Sequence, residues 1–180
     1  MGKLTILVGP MYSKKTTNLL LYLEDYEVAK KNCTVIKYKK DKRYAKAETE
    51  NIISHNKTIR PVNFSVDKLS DIPAMSLVTT DVILIDEGQF FTDIVEFCDQ
   101  WASLGKDVVV AALSGTFERE PFSNMTRLYS KADKVISLHA VCSICFEKAC
   151  FTKRLSTSNE QVLIGGTELY AARCRKCFKL

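Results

Sequence analysis

What this chain lacks narrows it first. Its 180 residues hold no apolar run approaching the roughly 18 that a membrane-spanning helix needs, so a transmembrane helix is excluded. The opening "MGKLTILVGP" has a short apolar stretch but no small-residue cleavage site, and reads as a strand rather than a secretory signal. Gly2 follows Met1, yet Ile6 stands where myristoylation would need Ser or Thr, and the terminal "FKL" is not the peroxisomal tripeptide. Repeats and low-complexity linkers are missing. Histidine is scarce: His55 lies in a polar stretch and His139 near a strand end, and neither has a paired Ser or Cys to suggest nucleophilic catalysis. The seven cysteines are odd in number, which argues against a complete disulfide framework. A cytoplasmic protein is expected, with the sequons at Asn32, Asn56, Asn63 and Asn124 unmodified.

The size fits one domain with room for a small appendage. Apolar content of 46% and charged content of 26% are ordinary for a globular protein, and the net charge of +5 is only mildly basic. No basic-aromatic stripe accompanies it, so no nucleic-acid partner is expected. Residues 4–8, "LTILV", read as a buried strand, 16–31 as a helix with Leu19, Leu23 and Tyr26 on one stripe, and "CTVIKY" at 33–38 as a second strand. Much of the polar run 42–58 reads as an exposed loop. Val82 to Ile85 are apolar without alternation, as in a strand buried on both faces of a parallel sheet. Residues 92–104 have helical spacing, with Thr92 as N-cap and Gly105 as the stop, and 107–115 form another buried strand. This alternation predicts an α/β fold with a parallel sheet flanked by helices over residues 1–140, and a separate small module over 141–180.

Three constellations carry chemistry. "GPMYSKKT" puts Gly9, Lys15 and Thr16 at phosphate-loop spacing, after an apolar strand and before a helix. Such a loop converges backbone N–H groups on phosphates, while its Lys reaches the terminal phosphates and its hydroxyl the magnesium. Asp86-Glu87 ends a buried strand about 70 residues downstream, where one carboxylate could hold magnesium and the other accept a proton. Cys142-x-x-Cys145 and Cys174-x-x-Cys177, separated by 28 residues, form a four-thiolate zinc pattern with no open ligand position, hence a structural site. The remaining cysteines, Cys33, Cys98 and Cys150, read as buried free thiols.

These residues resemble type II thymidine kinases, the cellular and poxvirus-type group. The likeness rests on "GPMYSKKTT", "KKDKRY", "IDEGQFFTDIVEFC", "GKDVVVAALSGTFEREPF", "AVCSICFEKACFTKRL", "VLIGGTELY" and "CRKCF", which together span nearly the whole chain. It implies a P-loop (RecA-like) domain with a zinc-binding lasso domain, and transfer of the ATP γ-phosphoryl group to the 5′-hydroxyl of thymidine. Gly9, Pro10, Met11, Tyr12, Ser13, Lys14, Lys15 and Thr16 would cradle ATP, helped by Asp41, Lys42, Arg43, Asp86 and Gln89. Thr16 and Asp86 would serve Mg²⁺, and Glu87 would be the base. Met11, Phe90, Leu113, Phe117, Phe122, Thr152, Tyr170 and the run Gln161, Val162, Leu163, Ile164, Gly165 would hold thymidine. Without the resemblance, Phe90, Phe117 and Phe122 read as plain core. A homotetramer and feedback inhibition by thymidine triphosphate (dTTP) are also implied, as is a zinc clamp on the substrate-covering loop.

Two positions depart from the family pattern. Lys14 replaces a glycine at a site that usually needs positive φ, a cost of about 1–2 kcal/mol. Spread between stability and binding, this predicts weakened activity, on the order of tenfold in affinity. Ser114 replaces an Asp or Asn before Gly-Thr-Phe. Two rival readings stay open: a nucleotide or nucleoside binder that has lost catalysis, and a zinc-containing nucleic-acid-binding ATPase.

Overall fold

The computed structural model describes residues 1–40, 51–53, 59–156 and 166–179. Its centre is a six-stranded sheet, parallel throughout, built from β1 (Leu4–Gly9), β2 (Cys33–Tyr38), β5 (Phe64–Val66), β6 (Val82–Ile85), β7 (Asp107–Leu113) and β8 (Lys134–Ser137). The spatial order is β5-β2-β6-β7-β1-β8. Between β2 and β5, the short strands β3 (Asn51–Ile53) and β4 (Ile59–Pro61) pair antiparallel.

Strand periodicity explains how the sheet is covered. Ile6, Val8, Ile83, Ile85, Val108 and Val110 point to one face, packed against α2 (Ile94–Ser103) and α3 (Ser123–Tyr129). Leu7, Val35, Leu84, Val109 and Ala111 point to the other, packed against Leu19, Leu20 and Leu23 of α1 (Lys15–Val28). Both faces are therefore dry, and the apolar run Val82–Ile85 is buried throughout, as its lack of alternation implied. No helix among the described residues is long and apolar enough to cross a membrane.

Three details differ from expectation. The helix anticipated from Thr92 begins at Ile94, with Asp93 at the N-cap position. The Asp93 carboxylate accepts instead from the backbone N–H groups of Leu69 and Ser70, so it caps a neighbouring 3₁₀ turn. Within the run read as loop, Asn51–Ile53 is a strand, and Ile52 packs into the α1-side core at 3% exposure. Arg60 on β4 reinforces that docking by pairing with Glu24 and Glu27 of α1. Cys98 is buried as expected, but Cys33 is half-buried and Cys150 exposed.

Beyond β8 the chain forms two small antiparallel pairs: β9 (Ala140–Val141) with β10 (Lys148–Ala149), and β11 (Phe151–Arg154) with β12 (Tyr170–Arg173). Ala140, Ala149 and Ala172 make a miniature core with Cys142 and Cys177, against which Tyr12 packs.

Candidate active site

Parallel neighbours β6, β7 and β1 end on the same edge of the sheet, where ligands of open α/β sheets bind. In register, Gly9 lies opposite Leu113 and Ile85 opposite Val110, so the loop after β1, Asp86-Glu87 after β6 and the turn after β7 share one rim. The Ser114 N–H closes the rim by donating to Gly9 O (3.1 Å).

The loop from Gly9 to Thr16 is tightly folded on itself. Pro10 O accepts from Ser13 Oγ (2.8 Å) and from Lys15 Nζ (2.8 Å). Gly9 tolerates no side chain, since a Cβ there would stand 2.6 Å from Leu138 O and 2.5 Å from Ser13 Oγ. Lys14 takes the left-handed conformation its position demanded, at φ 61° and ψ 33°, with its side chain exposed. Its carbonyl is held twice by Asn18, through the backbone N–H (2.9 Å) and Nδ2 (2.8 Å). Tyr12 is also left-handed, at φ 67°.

Thr16, in the first turn of α1, donates through Oγ1 to both carboxylate oxygens of Asp86, at 3.2 and 3.0 Å. A hydroxyl and a carboxylate in contact make an oxygen-only donor set of the kind that hard divalent cations take. Asp86 and Glu87 are 6% and 5% exposed. Glu87 is a third left-handed residue, at φ 55°, which turns its side chain out of the strand direction. Gln89 then grips that carboxylate: its Nε2 donates to Glu87 Oε2 at 2.5 Å, and its Oε1 accepts from Leu113 N (3.0 Å). Asn124 donates through Nδ2 to the carbonyls of Gln89 (3.0 Å) and Phe91 (2.8 Å), pinning the turn from α3.

Some of the residues expected to hold thymidine are tied to one another or to the β1–α1 loop. Met11 N donates to Thr152 Oγ1 (2.9 Å), and Tyr12 OH to Tyr170 O (3.1 Å), joining the β1–α1 loop to β11 and β12. Phe90, Phe117 and Phe122 are half-buried; Phe122 packs against the core on the α2–α3 side, and Phe90 lies 5.1 Å from the Tyr38 ring. Arg154 sits over Phe117 at 3.7 Å and donates to Tyr170 OH (2.9 Å). Asp41, Lys42, Arg43 and Gln161 to Gly165 lie outside the described residues, as does His55. Asn18, Asn124 and Arg154 were missed by sequence reading. Each acts through a partner that folding brings to it, and only Asn18, four residues from Lys14 on a helix start, left a local signal.

Cys142, Cys145, Cys174 and Cys177 form one cluster, with their sulfurs all within 4.8 Å of one another. The Cys145–Cys174 separation is 3.6 Å. A tetrahedron of zinc–sulfur bonds would hold sulfurs about 3.8 Å apart, so the cluster fits that metal. Backbone N–H groups, chiefly that of Cys145, pull the Cys142 thiol down to about 6, and that of Cys177 lowers Cys174. Burial pushes Cys177 up to about 12. Thiolate is the form a metal binds, so the backbone already favours it at part of the cluster.

A parallel α/β sheet with polar side chains gathered on one rim places the chain among open α/β proteins, and comparison with known proteins narrows that class. The family model described as Thymidine kinase matches residues 2–178, and the chain belongs to that family. It is 46% identical over 177 residues to a thymidine kinase of Yaba monkey tumor virus, covering 98% of this chain and 94% of that protein. It is 43% identical to a thymidine kinase of Monkeypox virus and 42% to one of Variola virus, in each case over 98% of this chain and 97% of the relative.

Proposed function

We propose that this protein transfers the γ-phosphoryl group of ATP to the 5′-hydroxyl of thymidine. The observation that carries this is the meeting of Thr16, Asp86 and Glu87 on one rim, with the Thr16 hydroxyl 3.0 Å from Asp86 and Glu87 next in the chain. Gly9 to Thr16 act as a P-loop of RecA-like type, offering backbone N–H groups and the Lys15 ammonium to the triphosphate. By the resemblance, Asp41, Lys42 and Arg43 would serve the same phosphates. Thr16 and Asp86 would hold Mg²⁺, which would supply charge neutralisation at the phosphates.

Glu87 accepts the proton of the attacking 5′-hydroxyl. The αL backbone and the Gln89 amide aim its carboxylate, so little reorganisation is left for the reaction itself. Phe90, Phe117, Phe122, Leu113 and Met11 enclose the base. Thr152, Tyr170 and, by the resemblance, residues 161–165 would supply polar partners, which a wrong base would leave unpaired.

Residues 1–140 form the ATP-binding domain, and 141–180 a zinc domain whose lasso covers the nucleoside. Zinc held by the four cysteines would fix both ends of the segment between them and so lower the entropy lost when it orders over a ligand. The same reading extends to a cytoplasmic homotetramer inhibited by dTTP, which light scattering and an inhibition series would test. Activity itself is tested with ATP, Mg²⁺ and labelled thymidine. Accumulation of thymidine monophosphate is expected; ATP hydrolysis without a phosphorylated nucleoside would overturn the proposal.

A further inference from the structure

We infer that Arg154 is a positioning residue that sets the shape of the nucleoside pocket, an inference that rests on the thymidine reading above. Arg154 is 8% exposed, an unusual place for a guanidinium, and its surroundings explain why it is tolerated. Its charge lies 3.7 Å from the centre of the Phe117 ring and 5.4 Å from that of Tyr170, where the negative faces of both rings attract it. One of its nitrogens donates to Tyr170 OH at 2.9 Å.

The three residues come from three places in the chain. Arg154 ends β11, Tyr170 opens β12 directly opposite it in register, and Phe117 belongs to the turn after β7. That turn is already closed on itself, because Thr116 N donates to Glu120 O (2.8 Å), and Thr116 Oγ1 accepts from Glu120 N (3.1 Å). Arg154 therefore fastens a preformed turn of the central sheet to the β11–β12 pair. It does so through the two aromatic rings proposed to bound the base.

A planar guanidinium can stack on one ring while its edge donates to a hydroxyl, and a lysine ammonium cannot do both. Arg154→Lys is therefore a charge-conserving test of geometry, Arg154→Met a test of the whole contact, and Tyr170→Phe a test of the hydrogen bond alone. Steady-state KM values for thymidine and ATP, kcat and melting temperature are measured for wild type and all three. The thymidine KM should rise about tenfold or more in Arg154→Met, where the charge-assisted hydrogen bond and the stacked ring are both lost, and severalfold in Arg154→Lys, which can keep only one of them. It should rise severalfold in Tyr170→Phe, while the ATP KM stays within about threefold of wild type throughout.

Were Arg154→Met to fold poorly, Tyr170→Phe and Arg154→Lys carry the test. Soluble variants with an unchanged thymidine KM would overturn the inference, and so would an ATP KM that rises in parallel. Wild-type protein that does not phosphorylate thymidine would overturn the functional reading itself, and this inference with it.

Discussion

Replacing Lys14 by glycine should change the stability of this protein more than its affinity for ATP. Lys14 holds φ 61° and ψ 33°, and its carbonyl is fixed from within the protein by two hydrogen bonds from Asn18. The cost of the left-handed backbone, about 1–2 kcal/mol, is then charged to folding and not again to binding. Glycine removes that cost but adds about 0.5–1 kcal/mol of unfolded-state entropy. The net is about 0.5–1 kcal/mol of stabilisation, or roughly 1–4 °C in Tm for a chain of this size. Calorimetry of Lys14→Gly beside Lys14→Ala separates strain from charge, since alanine removes the ammonium and keeps the Cβ. The glycine variant should melt higher than both wild type and Lys14→Ala. Its ATP KM should stay within about threefold of wild type, short of the tenfold affinity cost that the bare sequence suggests. A tenfold fall in ATP KM without a rise in Tm would refute this reasoning. It would mean that the loop leaves the left-handed conformation when empty and that ATP binding bears the strain.

Other outcomes follow from the same geometry. Gln89→Leu should lower kcat by about tenfold or more and cost about 1–3 kcal/mol of stability, because it frees Glu87 and leaves the Leu113 N–H without its acceptor; kinetics and urea unfolding check both. Cys142→Ser, or treatment with a strong chelator, should release one zinc per chain and lower Tm, and should raise the thymidine KM more than the ATP KM. Normal thymidine binding by folded, metal-free protein would contradict that. Burial and the neighbouring Asp107 carboxylate raise Tyr26 from 10.0 to about 12, so its stabilising contribution is complete below pH 10 and fades between 10 and 12. Urea unfolding at a series of pH values should show Tyr26→Phe losing less stability than wild type across that window.

Much of the fold could be read from local pattern. β2 coincides with the apolar run 33–38, and β6 with four residues whose lack of alternation already demanded a sheet covered on both sides. The strand at Asn51–Ile53 escaped because its polar surroundings hide the one side chain, Ile52, that the core uses. Thr92 was a reasonable cap by residue type. The helix starts later because Asp93 is engaged by another segment, a partnership no local window contains.

The candidate site divides in the same way. Lys15, Thr16, Asp86, Glu87 and the four cysteines were visible because they stand at the spacings that a phosphate chain, a cation or a tetrahedron would require. Asn124 and Arg154 act by holding other residues, Asn124 across separations of 33 and 35 residues. The bond from Met11 to Thr152 spans 141 residues. Distances of that kind are consequences of the fold, and they became legible only with it.

The most direct test of the central claim is a single-turnover comparison of wild type and Glu87→Gln with ATP, Mg²⁺ and labelled thymidine, with binding of both ligands measured in parallel. Wild type should form thymidine monophosphate. Glu87→Gln should bind both ligands with near-normal affinity and form the product about 10² to 10⁴ times more slowly. Equal rates in the two proteins would contradict it, and Glu87 would then not be the base.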